Sequence, residues 1–373
     1  MNELRALSER RAELDHCAYC PKLCRHTCPV SEATGREALT PWGKMSVSFL
    51  AAGRVRPPDA ALAEAAFACT GCGRCRDFCR DRNDVPGTLA VARRVVVAAG
   101  LAGPGVRALL ERFHRDGSPV GALAGAPEAS GAELASPPEV DAYFPGCTAL
   151  VRERYDVLAA QGAGRALGLP LPLSRAAGLC CGYPLYAAGD HDAFARHART
   201  VAAKLPAGGR LVVGDPGCAH TFRNLYPLFG VEPRCAITPL PEALAGGLPK
   251  ARLRRPLPER AVWHDPCHLA RSLDCTAAPR QILGQALAGF SEPLHAGAET
   301  LCAGGGGAVP WSMPAVAEAM ARARAGELSA EAPLVVTACP TAKRALQRGG
   351  TRVRDLAAVV AAWLEVAPKD LPP

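Results

Sequence analysis

Long apolar runs, aromatic side chains and nucleotide-binding signatures are all scarce in this sequence, and each shortage removes a class of function. The most apolar stretches, around Val95 to Leu110 and Leu356 to Leu364, are too short or too broken by Gly and Pro to span a bilayer, which takes about 20 helical residues. The opening MNELRALSERRAELDHC mixes charge with Leu and Ala and lacks the apolar core of a secretory signal, so a cytoplasmic chain is expected. Aromatics make up only 5% of the residues and the sole basic run is RLRRP, which speaks against a nucleic-acid partner. Gly304 to Gly307 is a glycine run, but it is neither GxGxxG after a strand nor closed by GK[ST], so no nucleotide or flavin site is expected here.

Against those shortages stand 17 cysteines in 373 residues. An odd number, clustered at CxxC spacing without an export signal, argues for ligands or redox thiols rather than a disulfide framework. The length suggests two or three domains, and a 49% hydrophobic composition is ample for ordinary cores.

Three segments emerge along the chain. Residues 1–113 hold a dense cysteine block followed by charged and apolar sequence, with a helix expected around Trp42 to Ala52. Residues 114–139 are rich in Gly, Ala, Pro and Ser, the composition of a linker or long exposed loop. Beyond lies an internal repeat. Four apolar runs each lead to a cysteine: VDAYFPGC at Cys147, LVVGDPGC at Cys218, AVWHDPC at Cys267 and LVVTAC at Cys339. Corresponding cysteines recur at intervals of about 120 residues, so 140–248 and 259–366 read as two copies of one unit. Phe194, Ala198, Val201 and Leu205 share one helical face, as do Leu356, Val359, Val360, Trp363 and Leu364. Strands alternating with such cover helices predict α/β architecture, with the cysteines in loops after the strands' carboxyl ends.

The front block contains CAYCPKLCRHTCP, with Cys17, Cys20, Cys24 and Cys28, and CTGCGRCRDFC, with Cys69, Cys72, Cys75 and Cys79. Closely spaced thiolates wrap three corners of an iron–sulfur cubane, and the fourth turns away to a second cluster. That rule assigns Cys17, Cys20, Cys24 and Cys79 to one 4Fe-4S cluster and Cys28, Cys69, Cys72 and Cys75 to another. Eight thiolates and two oxidised clusters would remove roughly four units of the formal +8 charge. Zinc is the other occupant to consider, although it prefers two CxxC pairs across a longer spacer. The block departs from the simplest pattern twice, in the three residues between Cys20 and Cys24 and in Arg80 after Cys79. It resembles the α-helical ferredoxin domain of heterodisulfide reductase and succinate dehydrogenase iron–sulfur subunits.

The first repeat supplies Cys147, the adjacent pair Cys180 and Cys181 in GLCCGYP, and Cys218. Gly182 gives the backbone freedom to turn both neighbours into one site. This looks like the cysteine-rich CCG domain of heterodisulfide reductase, glycolate oxidase and anaerobic glycerol-3-phosphate dehydrogenase subunits. Neither copy is complete: Thr221 stands where CxxC would end, and the second copy keeps Cys267, Cys302 and Cys339 while Ala342 replaces its last cysteine. Spacing pairs Cys302 with Cys181, and the motif equally admits Ala303 as the lost member. These seven cysteines are candidates for a further cluster or redox site, with His264 or His268 available for an open coordination position. His220, His264 and His268 could also serve sulfur or protons. Cys235 and Cys275 read as buried apolar residues, and Lys343 and Arg344 as a solvated face or a partner contact.

The expected fold is thus α+β and multidomain: an N-terminal all-α ferredoxin-like domain binding two 4Fe-4S clusters, then two repeated α/β CCG domains. The resemblance implies an iron–sulfur electron-transfer subunit of a multi-subunit oxidoreductase. Its implied partners are a flavoprotein and a membrane quinone-reactive subunit, a ferredoxin or a disulfide as acceptor, with attachment to the inner membrane face only through those partners. The alternative is a catalytic heterodisulfide reductase subunit whose CCG region holds a cluster. A zinc-bound scaffold is the third reading.

Overall fold

The computed structural model describes residues 2–135, 141–250 and 254–368. The front third is helical. Pro41–Ala52 begins with Pro at its first turn and is capped by Thr40, whose hydroxyl accepts from Gly43 N at 3.1 Å. Asp59 caps Ala60–Phe67 and Asp84 caps Val85–Ala98 in the same way. These helices bury Leu7, Leu14, Met45, Leu62, Phe67, Leu89, Val96 and Val106 in one core, and Ala188 and Ala308 from the later repeats close it.

Seven short strands follow: β1 (Asp141–Phe144), β2 (Arg210–Val213), β3 (Ala236–Pro239), β4 (Leu257–Trp263), β5 (Leu287–Ser291), β6 (Val335–Thr337) and β7 (Val353–Asp355). They form two parallel sheets, ordered β1-β2-β3 and β5-β4-β6-β7. Tyr143 is in register with Val212, Val212 with Thr238, and Val336 with both Trp263 and Arg354. Parallel strands need crossover helices on both faces, which is why the inner strands read as near-continuous apolar runs.

One core serves both repeats. In β4 and β6 the side chains alternate: Trp263 and Val336 enter a core shared with Phe144, Val157 and Trp363, whereas Val262 and Val335 face a second cluster with Ala321, Leu328 and Leu346. Helix Arg154–Ala166 of the first repeat lies against Leu356–Trp363 of the second. Lys343 reinforces the seam. Its ammonium, 3% exposed, pairs with Asp156 at 2.7 Å and Glu153 at 3.0 Å, while Arg344 reaches Glu153 at 2.9 Å. Both residues therefore join the two repeats to each other, rather than forming the solvated face expected for them.

The expected linker also differs. Helix Pro104–Asp116 crosses position 113, and Ser118, Leu123 and Ser130 are buried. Ala135 N donates to Leu173 O at 2.8 Å, tying this segment onto the first repeat. A composition without periodicity still packs here, because Leu123 and Ala132 join the core of the repeats and the two serines satisfy their own turns. Residues 136–139 of that stretch lie outside the described residues.

Candidate metal centres and redox cavity

The turns that carry the front cysteines are set by the local sequence. Pro29 starts helix Pro29–Thr34 directly after Cys28, and Gly73, at φ 76°, precedes the short helix Arg74–Phe78 that carries Cys75. The front cysteines oppose one another's ionisation, Cys24 feeling Cys28 and Cys75 feeling Cys24 across the two expected ligand sets as well as within them. Burial and then the neighbouring Cys24, Cys20 and Cys79 push the Cys17 thiol up to about 12, against an Asn83 amide that donates to its sulfur at 3.0 Å. Burial and then Cys20 and Cys79 push Cys24 up to about 11. Cys75 is driven upward by burial and then by Cys69, Cys72 and Cys28. So many mutually opposed thiols cannot all ionise without a cation among them.

The donors are thiolates at the sequence spacing that iron–sulfur groups use; among the described residues a mixed set, His16, Cys79 and Asp81, also brings its ligand atoms within 4.8 Å of one another.

The surroundings of the second group, Cys28, Cys69, Cys72 and Cys75, fit an iron–sulfur group as well. Lys44 is 1% exposed and donates to Cys28 Sγ at 3.2 Å. Arg271 Nε donates to Cys72 O at 2.6 Å and its Nη1 to Ala298 O and Thr300 O, while Nη2 is buried with no acceptor. Arg74 bonds Glu299 O and Thr27 O, and Arg93 bonds the carbonyls of Ala66, Ala187 and Cys69. All four cations are buried, and none is ion-paired with a carboxylate among the described residues. Burying a single charge costs several kcal/mol, and an opposite charge about 4 Å away returns ~4 kcal/mol at an effective dielectric of ~20. Four such cations call for a buried anion at Cys28, Cys69, Cys72 and Cys75.

The seven cysteines of the repeats line a single cavity of about 290 Å³, together with Asp215, Tyr183, His264 and His268. Cys147 opens helix Cys147–Arg152 and lies 3.7 Å from Cys180, sulfur to sulfur. Gly182, at φ 88°, turns the chain after the pair, and a Cβ there would stand 2.9 Å from the His197 ring. Cys180 and Cys218, with Tyr183 N and the Thr221 side chain, hydrogen-bond to Cys181 and hold it well below the usual thiol range. Hydrogen bonding to Cys147 and Cys181, and then burial, drives Cys180 up. Thr221 therefore occupies the lost cysteine's place as a neighbour of Cys181. Asp215, whose carboxylate caps Gly217 N at 2.7 Å, is pushed up to about 7 by burial and then by Cys181.

The second repeat distributes its cysteines differently. Cys302 hydrogen-bonds to Cys267, to Cys72 of the front domain and to Thr70, and packs with Cys28, Cys72 and Cys267 around Val30 and Met320. Sulfur thus continues from the second front group into the cavity. Cys339 caps helix Pro340–Arg348, accepting from Ala342 N at 3.4 Å. The histidines are partly committed: His264 Nδ1 accepts from Arg324 Nε at 3.3 Å, and His268 Nδ1 meets Ser272 Oγ at 3.2 Å while its Nε2 is buried without a partner. His220 stacks on His268 with centroids 4.6 Å apart. Cys235 and Cys275 are buried. Sequence reasoning passed over Lys44, Arg74, Arg93, Arg271 and Asp215. Only Lys44, set in the apolar helix PWGKMSVSFLAA, gave a local signal.

Comparison with known proteins agrees with this geometry. Residues 13–83 match the 4Fe-4S dicluster domain, and residues 142–223 and 261–347 each match the cysteine-rich CCG domain. One subunit of the fumarate reductase (CoM/CoB) of Methanothermobacter marburgensis is 26% identical over 331 residues, covering 85% of this chain and 64% of that protein. One subunit of the dihydromethanophenazine:CoB–CoM heterodisulfide reductase of Methanosarcina barkeri is 26% identical over 371 residues, covering 90% and 89%. No described helix is long and apolar enough to cross a membrane. With a dicluster domain in front and two cysteine-rich domains behind, the chain belongs to the iron–sulfur proteins related to that heterodisulfide reductase component.

Proposed function

We propose that this chain is the electron-transfer subunit of a multi-subunit oxidoreductase. In this reading Cys17, Cys20, Cys24 and Cys79 hold one 4Fe-4S cluster, and Cys28, Cys69, Cys72 and Cys75 a second. Such clusters supply one-electron transfer without bond making. The observation that carries the reading is the contact of Cys72 with Cys302, which joins the front cysteines to the cavity of the repeats. Around the front groups the chain's own residues donate to the sulfurs, Asn83 to Cys17 and Lys44 to Cys28. A flavoprotein is the proposed partner on one side and a quinone-reactive subunit, ferredoxin or disulfide the acceptor on the other. Both relatives are named as subunits of reductases, which supports a complex. Anaerobically purified protein should contain about eight irons with matching sulfide. Cys72→Ala should lose electron passage to an artificial acceptor while circular dichroism of the α/β repeats is unchanged. Zinc without sulfide, or a fully competent Cys72→Ala, would sink the proposal.

A second reading, catalytic disulfide reduction, is favoured by one observation: Cys181, beside Cys180, Cys218 and Thr221, lies in a cavity lined by all seven repeat cysteines. On this reading the cavity holds a further cluster and iron rises to about twelve per chain. Disulfide reduction with an artificial donor should then be present and be lost in Cys181→Ala.

A further inference from the structure

The two front cysteine groups sit in opposite electrostatic surroundings. The second, Cys28, Cys69, Cys72 and Cys75, is ringed by Lys44, Arg74, Arg93 and Arg271, all at most 7% exposed and all bonded to carbonyls or sulfur rather than to carboxylates. The first receives a neutral amide from Asn83 at 3.0 Å. Near it Arg10 pairs with Glu13, Arg11 with Asp15 and Arg25 with Glu37, all at the surface, the His16 ring lies 3.8 Å from Cys79 and 3.4 Å from Asp81, and Lys22, between Cys20 and Cys24, lies over the Trp42 ring at 3.8 Å. Its rim is open, with Tyr19 81% and Leu23 70% exposed on either side of Cys20. The second group instead lies beneath the repeats: a Cβ on Gly306 would stand 2.7 Å from Thr70 O, and one on Gly307 2.6 Å from Cys69 O.

We infer that Lys44, Arg74, Arg93 and Arg271 make the cluster at Cys28, Cys69, Cys72 and Cys75 the more readily reduced of the two, so that electrons run inward from the exposed Cys20–Cys24 face to Cys302 and the cavity. The inference rests on the two-cluster reading above. In each step one electron leaves the first cluster and arrives at the second, and no bond forms or breaks. Reduction adds a negative charge to an already anionic group. Burial opposes that addition, and each unneutralised cation nearby favours it. Four buried cations around the inner group, against no buried cation around the outer, set the sign.

The test begins with iron and sulfide on the intact chain, because fewer than about eight irons overturns the two-cluster reading and the inference together. With both clusters loaded, a redox titration followed by electron paramagnetic resonance should resolve two signals. A soluble paramagnetic relaxant should broaden the lower-potential signal and spare the higher-potential one, since the outer group has the exposed rim at Tyr19 and Leu23. In Lys44→Met the reduced-to-oxidised ratio of the higher-potential signal at fixed potential should fall at least tenfold, which is 59 mV for a one-electron couple. Lys44→Arg, which keeps the charge, should stay within threefold of the parent. A relaxant that broadens the higher-potential signal overturns the inward direction while leaving two clusters in place. So does a Lys44→Met effect confined to the lower-potential signal or absent from both. If Lys44→Met fails to load, the relaxant experiment on the unaltered protein decides alone.

Discussion

Asp355 shows how far a single side chain can depart from its sequence appearance. It caps helix Leu356–Trp363 by accepting from Ala357 N at 2.8 Å, an ordinary role for Asp. Burial, and then the nearby Asp156, push its carboxyl up to about 8, with Lys343 opposing. The unfolded chain gives up that proton near pH 4, whereas the folded chain keeps it until about 8. Stability therefore falls as pH rises through that interval. Asp355→Asn keeps the capping oxygen and removes the proton. Its melting temperature should exceed the parent's at pH 8 to 9, and the difference should vanish near pH 4; a constant difference across that range would contradict the assignment. None of this was legible in VRDLAAVV, because the acids that crowd Asp355 come from the first repeat. The metal-ligating pattern was legible, since CxxC spacing is a local property of the chain. The buried arginines were not: Arg271 becomes a partner of Cys72 only through contacts 199 residues apart.

At the scale of elements, the four apolar runs that lead to cysteines are β1, β2, β4 and β6, and each ends shortly before its cysteine. The strands β3, β5 and β7 escaped notice because they are short and carry Thr, Gly, Arg or Asp in place of an apolar run. The helix Pro41–Ala52 was readable from its proline start and apolar face, while the boundary placed at 113 falls inside helix Pro104–Asp116, whose Val106 and Leu109 join the front core and whose Phe113 joins the core of the repeats. The glycine run, Gly304 to Gly307, brings separate parts of the chain into close approach. It is a seam: Gly305 lies against Thr341, Gly306 against Thr70 and Gly307 against Cys69. Gly306→Ala should push the Cys69–Cys72 loop off the second repeat at a cost of about 1 to 3 kcal/mol. Denaturant unfolding would register that loss, and an unchanged midpoint would mean that the seam yields freely.

The whole molecule is organised around charge as much as around apolar burial. Lys44, Arg74, Arg93 and Arg271 converge from two segments of the chain onto one cysteine group. Stripping the metal anaerobically should therefore lower the stability of the full chain by about 3 to 5 kcal/mol, the cost of removing one side of a buried charge pairing, and with it the melting temperature. Lys44→Met should narrow the gap between loaded and stripped protein, because one fewer cation is left uncompensated. An equal gap in parent and variant would separate Lys44 from the metal site.

Trp263 and Trp363 of the second repeat and Phe144 and Val157 of the first occupy the same core. The period seen in the sequence is thus a unit of pattern but not a unit of folding. Calorimetry of the two repeats should give one cooperative transition rather than two. A fragment ending near residue 250 would present the face of Phe144 and Val157 to water and aggregate, although it retains every cysteine of the first copy.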